Sequence, residues 1–548
     1  MKKQRIWASL HPFFESGDIM GRSVANEGFI RSFLAASPYD CHMFFLSDEG
    51  LASRVRERLE CIFPDKEGAF FVTTRHALPE VLSSKEIEVF HLSDCITEAA
   101  PLLRVRNALS RNMFSVTGTT HSLSYSRYSS YFFEQIWEGV TERDAVIATS
   151  RAGEGAVSAM FANLRGRFCL QSVPSPKVVR IPLGICPDDF VSPEKKMDVS
   201  AAIRRELGIP QDHLVLLVFA RISHYSKMDI LPLFRALLRA ETCGLPRGGY
   251  TLLLSGWMDV GDTAAAYAEI AGRYGIAFKL VPSPDDAMRR KLFAGADIFL
   301  SPVDNPQETF GLTLLEAGAA SLPVVASDFD GYRDLVVHGE TGFLIPTLGP
   351  AETPETDALS GVWFDNQRHL QIAQQSIVSV PELAVAIGLL ASDAVLRARF
   401  GENARRRVLE GYTWDHVVAQ HLSLWDELAS VPTQRPTAAH PLHPGYTVIF
   451  GGYYTDLANL ETASSTYVQW TAFGEDVYRG RNFPAIYSGI ERLVPLDVLR
   501  RILFRARKPV LLATLLPATM RLPSDEREAF PVLWALKQDL LEIVRNST

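Results

Sequence analysis

The sequence predicts an α/β protein built from two doubly wound parallel sheets with helices on both faces. The first observation is a regular alternation of short apolar runs with segments of helical periodicity, which is typical of parallel sheets. The second is that this alternation stops near residue 190 in a polar, proline-containing stretch and then begins again. The third is the length of 548 residues, which exceeds what a single hydrophobic core usually serves. Two such sheets leave a cleft outside their carboxyl strand ends, where ligands bind.

Apolar runs rich in β-branched and aromatic residues mark the expected strands. In the first half they lie at Ile6–Leu10, Cys41–Leu46, Ala69–Thr73, Val89–Leu92, Phe114–Thr117, Ala145–Thr149 and Val178–Ile181. The second half restarts with a predicted helix at Ala201–Leu207. Its expected strands are Leu214–Ala220, Tyr250–Gly256, Phe278–Val281, Asp297–Ser301, Pro323–Ala326 and Gly342–Ile345.

The stretch from Phe299 to Pro346 places two glutamates around a glycine-opened helix start. Here an apolar strand, a Pro/Asp/Asn loop and a helix beginning near Thr309 are predicted. Free N–H groups in the first turn of that helix, together with the helix dipole, would form an anion site. Glu308 precedes the turn and Glu316 follows it, and carboxylates accept hydrogen bonds from sugar hydroxyls. Two ordinary surface acids are the alternative for this spacing taken alone.

In this stretch the sequence resembles the retaining glycosyltransferases of family 4, which have the GT-B fold. That family carries two Glu separated by seven residues and then a G-x-P-V-(V/I)-A-(S/T)-D string, which here reads S-L-P-V-V-A-S-D. The resemblance implies that Glu308 contacts hydroxyls of the donor sugar and that Glu316 contacts the ribose hydroxyls of the nucleotide. It also implies that the amides of Phe310, Gly311 and Leu312 bind the diphosphate.

A pair of cations follows the strand LVLLVFA. The family pattern is a strand, Gly-Arg, a short loop and Lys-Gly; here Ala220 and Met228 replace the glycines, while Arg221 and Lys227 remain. The resemblance assigns both cations to the diphosphate, where they would stabilise the leaving group. Two solvated loop charges are the alternative.

His121 follows a predicted strand and matches the place where the family keeps a histidine facing the donor sugar. We expect it to orient donor or acceptor hydroxyls, with a purely structural histidine as the alternative. Val281 lies where the family's backbone holds the nucleobase.

The segment PFFESGDIMGRSVANEGF resembles the glycine loop and first helix through which the family meets the phosphate and the acceptor. Gly17 and Gly21 are the candidate loop glycines, although the usual adjacent Gly-Gly is missing and a simple turn is the alternative. Arg22 and Asn26 are the candidate acceptor contacts.

No metal or cofactor is expected. Asp328 and Asp330 have the D-x-D spacing of metal-dependent glycosyltransferases of the other major fold, and we interpret this as incidental. The resemblance implies that cations and helix amides neutralise the diphosphate without a metal. It also implies front-face attack, in which the donor phosphate helps to deprotonate the acceptor.

The predicted organisation has five parts. They are an acceptor domain at 1–190, a nucleotide-sugar donor domain at 191–410, a helix crossing back to the first domain at 411–430, a Pro-rich linker at 431–446 and an appended domain at 447–548. Residues 347–379 form an insertion that is longer than the family normally shows, and a lid, contact loop or interface element is expected there. In the appended part, Val494–Arg507 shows helical spacing of apolar residues with arginines beside them. A core helix of a small domain is favoured there over membrane contact, and a partner-docking face is left open.

The composition and charge of the chain disfavour several classes of protein. The net charge of −8 disfavours nucleic acid as the main partner, and the 47% hydrophobic content describes a folded protein. The six cysteines are scattered singly, which predicts neither a zinc site nor a disulfide framework. The N-terminal residues read as a first strand rather than a signal peptide, so a cytoplasmic setting is expected, with peripheral contact at the inner membrane face left open.

The sequence therefore predicts a retaining, metal-independent glycosyltransferase that moves a sugar from a nucleotide diphosphate to a glycan, lipid-linked or protein acceptor. Within enzymes, the alternatives are a glycan phosphorylase or a nucleotide-sugar hydrolase. Outside enzymes, the alternative is a sugar-nucleotide sensor or scaffold that acts through residues 447–548.

Overall fold

The computed structural model describes residues 4–14, 21–66, 68–137, 139–258, 261–436 and 443–544. Its contacts divide the chain into two compact units. The larger comprises Met1–Ala77, Ser84–Asn107 and Arg111–Ala438; the smaller comprises Leu78–Ser83, Ala108–Ser110 and Ala439–Thr548.

The first sheet of the larger unit has seven parallel strands in the order β3-β2-β1-β4-β5-β6-β7. They are β1 (Ile6–Ser9), β2 (Cys41–Leu46), β3 (Phe70–Thr74), β4 (Val89–Leu92), β5 (Ser115–Thr119), β6 (Ala145–Ala148) and β7 (Lys177–Arg180). Along the chain, the helices between these strands are α1 (Gly21–Ala36), α2 (Glu49–Ile62), α3 (Leu78–Ser84), α4 (Ala99–Leu109), α5 (Tyr128–Trp137) and α6 (Arg151–Arg167). Of these, α3 falls almost wholly in the smaller unit. Every residue of β1, β2, β4, β5 and β6 is buried, as expected for parallel strands covered on both faces.

The second sheet repeats this topology with six parallel strands in the order β10-β9-β8-β11-β12-β13. They are β8 (Leu214–Phe219), β9 (Tyr250–Gly256), β10 (Ala277–Pro282), β11 (Ile298–Ser301), β12 (Val324–Ser327) and β13 (Gly342–Ile345). The helices are α7 (Pro193–Glu206), α8 (Leu231–Ala240), α9 (Gly261–Tyr274), α10 (Asp286–Gly295), α11 (Leu312–Ala319) and α12 (Tyr332–Leu335). The prediction of two doubly wound sheets is confirmed.

The order of strands reverses between β1 and β4 in the first sheet and between β8 and β11 in the second. At such a point the chain leaves the two neighbouring strands toward opposite faces, so a crevice opens beyond their carboxyl ends. The loops after these four strands are therefore the places where the fold can hold a ligand.

One predicted element begins later than expected. The helix after β11 begins at Leu312 rather than near Thr309. The N–H groups of Thr309 and Phe310 donate to the Glu308 carboxylate instead of entering a helix, and Gly311 takes a left-handed backbone with φ 103°. A glycine adopts this conformation without steric cost.

The remainder of the larger unit holds an inserted segment and three long helices. The insertion contains β14 (Thr347–Leu348), α13 (Pro354–Ala358), α14 (Asp365–Ala373) and β15 (Ile377–Val378). The helices are α15 (Val380–Ser392), α16 (Ala394–Gly411) and α17 (Trp414–Ser430). Helix α17 packs into the core of the first sheet, where Trp425 lies against Trp7 and Phe33.

The smaller unit has its own hydrophobic core around a three-stranded antiparallel sheet in the order β17-β16-β18. Its elements are α18 (Tyr446–Phe450), α19 (Leu460–Ser465), β16 (Tyr467–Trp470), α20 (Ala472–Tyr478), α21 (Leu496–Arg505), β17 (Val510–Leu511), α22 (Pro523–Lys537) and β18 (Leu541–Val544). Leu499 and Leu503 of α21 are fully buried, whereas Arg500, Arg501 and Arg505 are exposed, so α21 is a core helix of this unit. Among the helices in the described ranges, none combines the length and apolar character needed to cross a bilayer.

A buried ion pair joins α4 to the residue just before β6 of the first sheet. The Arg106 guanidinium contacts Asp144 at 2.5 Å, and both side chains are shielded from solvent. Arg106 also donates to the carbonyl of Phe114 at 2.9 Å, while Asp144 accepts from the amide of Val116 at 3.0 Å and from that of Thr141 at 2.7 Å. The pair fixes the start of two strands whose carboxyl ends face the crevice.

We expect Arg106→Met to destabilise the larger unit by about 3–5 kcal/mol, because Asp144 would stay buried without its cation. Thermal unfolding of the full chain measures the loss, and hydrogen exchange places it in β5 and β6. The control is Arg111→Met, because Arg111 is 60% exposed and pairs with Glu86 at 3.7 Å; it should cost less than about 1 kcal/mol. Equal losses in both variants would contradict a structural role for the buried pair.

Candidate active site

The candidate site lies beyond the carboxyl ends of β8 and β11. Arg221 and Lys227 occupy the loop after β8, and Glu308 occupies the loop after β11. Since β8 and β11 are neighbours in the sheet, these loops meet at the crevice. The structure thus brings Lys227 into contact with Glu308, 81 positions further along the sequence.

An ion pair between Lys227 and Glu308 forms the centre of the site. The Lys227 ammonium contacts Glu308 Oε2, and the two side chains are 18% and 10% exposed respectively. Glu308 Oε1 also accepts from the amides of Thr309 at 3.2 Å and Phe310 at 3.3 Å. Burial by itself would raise the pKa of Glu308, but Lys227 and these amides outweigh burial and lower the pKa below its ordinary value. Glu308 is therefore an anchored, ionised acceptor.

Tyr332, which the sequence analysis missed, donates a hydrogen bond to Glu308. Its hydroxyl lies 3.2 Å from Glu308 Oε2, to which it donates, and 2.8 Å from Ser301 Oγ. The ring is fully buried and packs under Gly311, where an added Cβ would lie 2.6 Å from Tyr332 Cδ1. Gly311 is thus required both by its φ of 103° and by the ring beneath it. The available signal was a tyrosine that directly follows Asp330-Gly331 in the loop after β12.

The start of α11 offers backbone N–H groups. The Phe310 amide is already engaged by Glu308, whereas Gly311 is the N-cap and Leu312 the first helical residue. N–H groups at these positions have no intrahelical acceptor, and the helix dipole favours an anion beside them.

Glu316 lies within α11 and has a different cation. It is buried and pairs with Arg289 of α10, which also contacts Asp286 at 3.3 Å and lies 5.6 Å from the Phe190 ring centroid. Burial raises the pKa of Glu316 to about 7, and Asp286 adds to the rise, against the lowering effect of Arg289. The two glutamates therefore sit in separate charge environments.

Arg221 is held at the turn that follows β8. Its Nη1 donates to Ser226 Oγ at 3.3 Å, and that hydroxyl donates to Ser223 Oγ at 2.7 Å. Burial raises the pKa of Tyr125, a residue of the first domain, and the nearby charge of Arg221 opposes this rise. Arg221 thus lies within electrostatic reach of the opposite side of the cleft.

His121 follows β5 of the first sheet. Its Nε2 lies 2.8 Å from the carbonyl oxygen of Ser93, after β4, so Nε2 must carry the proton and Nδ1 is left as an acceptor. Burial lowers the pKa of His121 to about 4, and Arg22 adds to this effect. His121 is a neutral imidazole near pH 7.

His11, after β1, was also missed. Its Nδ1 accepts from the Ser93 amide at 3.1 Å and lies 2.8 Å from Ser93 Oγ. Burial lowers its pKa to about 4, with Arg75 and Arg22 contributing. His121 was predicted from its position after a strand together with the family resemblance, and His11 shares the first of these features.

Hydrogen bonds join the loops of the two sheets directly. Ser122 Oγ donates to the carbonyl of Gln307 at 3.1 Å, and Ser150 Oγ donates to the carbonyl of Thr309 at 2.8 Å. Each bond involves a neighbour of a candidate residue, so the His121 loop and the Glu308 loop are held together.

The remaining predicted residues are more dispersed. Arg22 lies near the site and approaches Asp94 at 3.8 Å. Asn26 is buried and lines a small cavity with Phe13 and Trp414 in the core between α1 and α17. Gly17 lies outside the described residues.

Two further predicted positions are on strands or helix ends. Gly21 begins α1, with no atom within 4 Å of an added Cβ. Val281 lies on the edge strand β10, and its carbonyl accepts from Ser255 Oγ at 2.8 Å.

Asp328 and Asp330 have different partners. Asp328 pairs with Arg333 at 2.7 Å. Asp330 has φ 46°, and its pKa is raised to about 7, chiefly by burial and then by Glu308. Within the described ranges, no group of three or more His, Cys, Asp or Glu side chains is arranged to hold a metal ion.

Residues 199–352 match the family described as Glycosyl transferases group 1. A D-inositol 3-phosphate glycosyltransferase of Stackebrandtia nassauensis is 33% identical over 201 residues, which is 36% of this chain and 43% of that protein. A phosphatidyl-myo-inositol mannosyltransferase of Mycobacterium tuberculosis is 31% identical over 29% of this chain and 35% of that protein. The chain thus matches less than half the length of these relatives.

Among solved structures, Anabaena HepE in complex with UDP and glucose has a TM-score of 0.52 at 17% identity, covering 77% of this chain and all of that one. A glycosyltransferase from Rickettsia africae has a TM-score of 0.52 at 15% identity, covering 79% of this chain and 100% of that one.

The chain has the GT-B fold, as predicted. Residues 199–352, which carry Arg221, Lys227, Glu308 and Glu316, are the part of the chain that matches the group 1 glycosyl transferases. The predicted resemblance is confirmed at the level of this group.

The charge balance of the central pair can be tested through pH. Wild-type Glu308 has a lowered pKa, so it stabilises the fold above the unfolded pKa and loses this contribution as pH falls. In Lys227→Met the cation is gone, so burial dominates and we expect the pKa of the Glu308 carboxyl to rise. The folded state of this variant therefore loses stability as pH rises and the buried carboxyl must ionise. We therefore expect Lys227→Met to lower the melting temperature more at about pH 8 than at about pH 5.

The control is Lys291→Met, because Lys291 is half-exposed and pairs with Glu206 at 3.5 Å. It should change the melting temperature little at either pH. A loss in Lys227→Met that is larger at the lower pH would contradict the charge state assigned to Glu308.

Proposed function

We propose that this protein is a retaining, metal-independent glycosyltransferase that moves a sugar from a nucleotide diphosphate to a glycan, lipid-linked or protein acceptor. The observation that carries the proposal is the buried Lys227–Glu308 pair beside Arg221, at the crevice of a group 1 domain. The nucleotide diphosphate sugar is the donor substrate, and no further cofactor is required.

The diphosphate is neutralised by side chains and backbone. Lys227 has three N–H donors, and its pair with Glu308 leaves donors for a phosphate oxygen. Arg221 supplies a further positive charge, and the Gly311 and Leu312 amides supply a helix N-terminus. These groups stabilise the negative charge that develops on the leaving diphosphate.

The sugar lies between Glu308 and His121. Glu308 is ionised and accepts hydrogen bonds from hydroxyls, and Tyr332 fixes its orientation. His121 presents Nδ1 as an acceptor because Nε2 donates to the Ser93 carbonyl. Glu316 and Val281 are assigned to the nucleoside, and Arg22 and Asn26 to the acceptor.

In the proposed reaction, a bond forms between an acceptor oxygen and the anomeric carbon on the face from which the diphosphate leaves. The bond from that carbon to the phosphate oxygen breaks, and the acceptor proton passes to the leaving phosphate. Both oxygens of Glu308 already accept hydrogen bonds, which disfavours Glu308 as a covalent nucleophile and supports the front-face course.

The proposed acceptors span three classes of molecule: glycans, lipid-linked groups and proteins. By their names, two relatives act on inositol phosphates or phosphatidylinositol, so such acceptors belong in any search. All six cysteines are free thiols, which supports a cytoplasmic location, with peripheral contact at the inner membrane face through 447–548 as a further part of the proposal.

The first test is a panel of nucleotide sugars, scored by thermal stabilisation and by release of the nucleotide diphosphate. One donor should stabilise the wild type and be turned over in the presence of EDTA. Glu308→Gln should reduce turnover about a hundred-fold or more, because the isosteric amide removes the charge that orients the sugar. The matched control is Glu340→Gln, an exposed residue of the same domain, which should leave turnover unchanged.

Failure of every donor to stabilise the protein would contradict the proposal and favour a scaffold. Turnover that is lost in EDTA and restored by a divalent cation would contradict metal independence. Stabilisation by a donor without turnover toward any acceptor would favour a sugar-nucleotide sensor.

Arg221→Ala tests the assignment of the diphosphate. We expect turnover to fall about a hundred- to a thousand-fold, because a preorganised cation at the leaving group is lost. The control is Arg235→Ala on the exposed face of α8. Equal activity in the two variants would remove Arg221 from the site.

A further inference from the structure

The insertion at residues 347–379, here called the strap, begins and ends beside the second parallel sheet. Its middle contacts the segment that follows β5 of the first parallel sheet. At its base β14 pairs antiparallel with β15, through Thr347 opposite Val378, and the Ser379 amide donates to the Pro346 carbonyl at 3.0 Å. These bonds close the strap as a loop between β13 and α15. Its head, α14, lies against the segment that follows β5 of the first sheet.

Polar contacts fix α14 to that segment. Asp365 Oδ1 accepts from the Ser126 amide at 3.0 Å, and Arg368 Nη1 donates to the Ser124 carbonyl at 2.7 Å. The His369 and Tyr125 rings meet edge to face at 5.2 Å. Two of these bonds involve backbone groups, the Ser126 amide as donor and the Ser124 carbonyl as acceptor, so α14 sets the path of the chain just after His121.

His369 connects the two sides of the cleft. It is completely buried, and its Nδ1 lies 2.7 Å from Gln307 Nε2 while its Nε2 lies 2.9 Å from Ser124 Oγ. Since the Gln307 amide nitrogen donates, Nδ1 accepts and Nε2 carries the proton toward Ser124. One imidazole thus spans from the Glu308 loop to the His121 loop.

Both the side chain and the backbone of Gln307 are engaged in hydrogen bonds. Its side chain also donates to Asn366 Oδ1 at 3.2 Å, its carbonyl accepts from Ser122 Oγ at 3.1 Å, and its amide donates to Asn305 Oδ1 at 3.0 Å. Gln307 immediately precedes Glu308. A displacement of Gln307 would therefore move the carboxylate relative to Lys227 and His121.

We infer that the strap is a positioning element of the site, and that His369 sets the Glu308 loop against the His121 loop through Gln307 and Ser124. This inference rests on the proposed function, because the consequence for turnover requires that Glu308 and His121 face a reacting sugar. The strap acts by geometry and does not touch the substrate. Small misplacements of catalytic groups typically cost up to a hundred-fold in rate.

Hydrogen exchange of the full chain tests the positioning directly, without turnover. In His369→Ala the peptide covering residues 305–311 and the amide of Ser126 should exchange about ten-fold faster than in the wild type. Gln371→Ala, an exposed residue of the same helix, is the matched control and should leave both unchanged. Asp365→Ala, a milder change at the edge of α14, should speed exchange at Ser126. Unchanged exchange at 305–311 in His369→Ala would overturn the inference.

Kinetics with the donor found above provide the second readout. His369→Ala should lower kcat about ten- to a hundred-fold with the donor KM within about two-fold, because positioning rather than donor affinity is lost. Gln307→Ala should lower kcat by a similar factor. The double variant, His369→Ala with Gln307→Ala, should have a kcat little lower than either single variant, because both residues act through one contact. Additive losses, or a loss confined to KM, would overturn the inference.

The two proposals fail in different ways. If no donor is turned over, the proposed function fails, while the exchange of residues 305–311 still decides whether the strap orders that loop. If wild type turns over a donor and His369→Ala matches Gln371→Ala in both readouts, only the strap inference fails.

Discussion

The site depends on one buried ion pair, between Lys227 and Glu308. Removing either charge from water has a large desolvation cost, so such a pair persists only where further hydrogen bonds complete it. Here the Thr309 and Phe310 amides and the Tyr332 hydroxyl do so. The sheet order makes this possible, since the pair can form only if the strands β8 and β11 are neighbours.

The pair also explains the local backbone. The Thr309 and Phe310 amides turn around the Glu308 carboxylate, the left-handed backbone of Gly311 follows, and α11 begins at Leu312. Gly311 then makes the turn above the Tyr332 ring, in a conformation and a space that only glycine fits. Carboxylate, turn and helix start are therefore a single packed arrangement.

The two domains contribute different chemistry to the cleft. The second domain supplies full charges: Arg221, Lys227 and an ionised Glu308. The first domain supplies neutral imidazoles, because burial keeps the pKa of His11 and that of His121 at about 4. The cations suit a leaving diphosphate, whereas the Glu308 carboxylate and the neutral imidazoles can accept hydrogen bonds from hydroxyl groups. His369 of the strap lies between the two domains, in contact with Gln307 beside Glu308 and with Ser124 after His121.

Much of the architecture could be predicted because parallel strands are buried on both faces and leave continuous apolar runs, as in β2 and β9. Glu308, Arg221 and Lys227 could be found because each follows such a run and also matches a motif of the family that the sequence resembles. The partners could not be found, since Tyr332 beneath Gly311 and Arg289 beside Glu316 are tertiary contacts without a sequence period. His369 lies in a polar insertion, where nothing in the sequence indicates that the residue is buried.

A crystal structure of the protein with the donor that stabilises it is the most direct test of the central claim. The account predicts the diphosphate beside Arg221, Lys227 and the start of α11, with the sugar hydroxyls on Glu308 and the sugar facing His121. A donor bound away from the β8 and β11 loops, or a diphosphate that leaves the Lys227–Glu308 pair untouched, would contradict it.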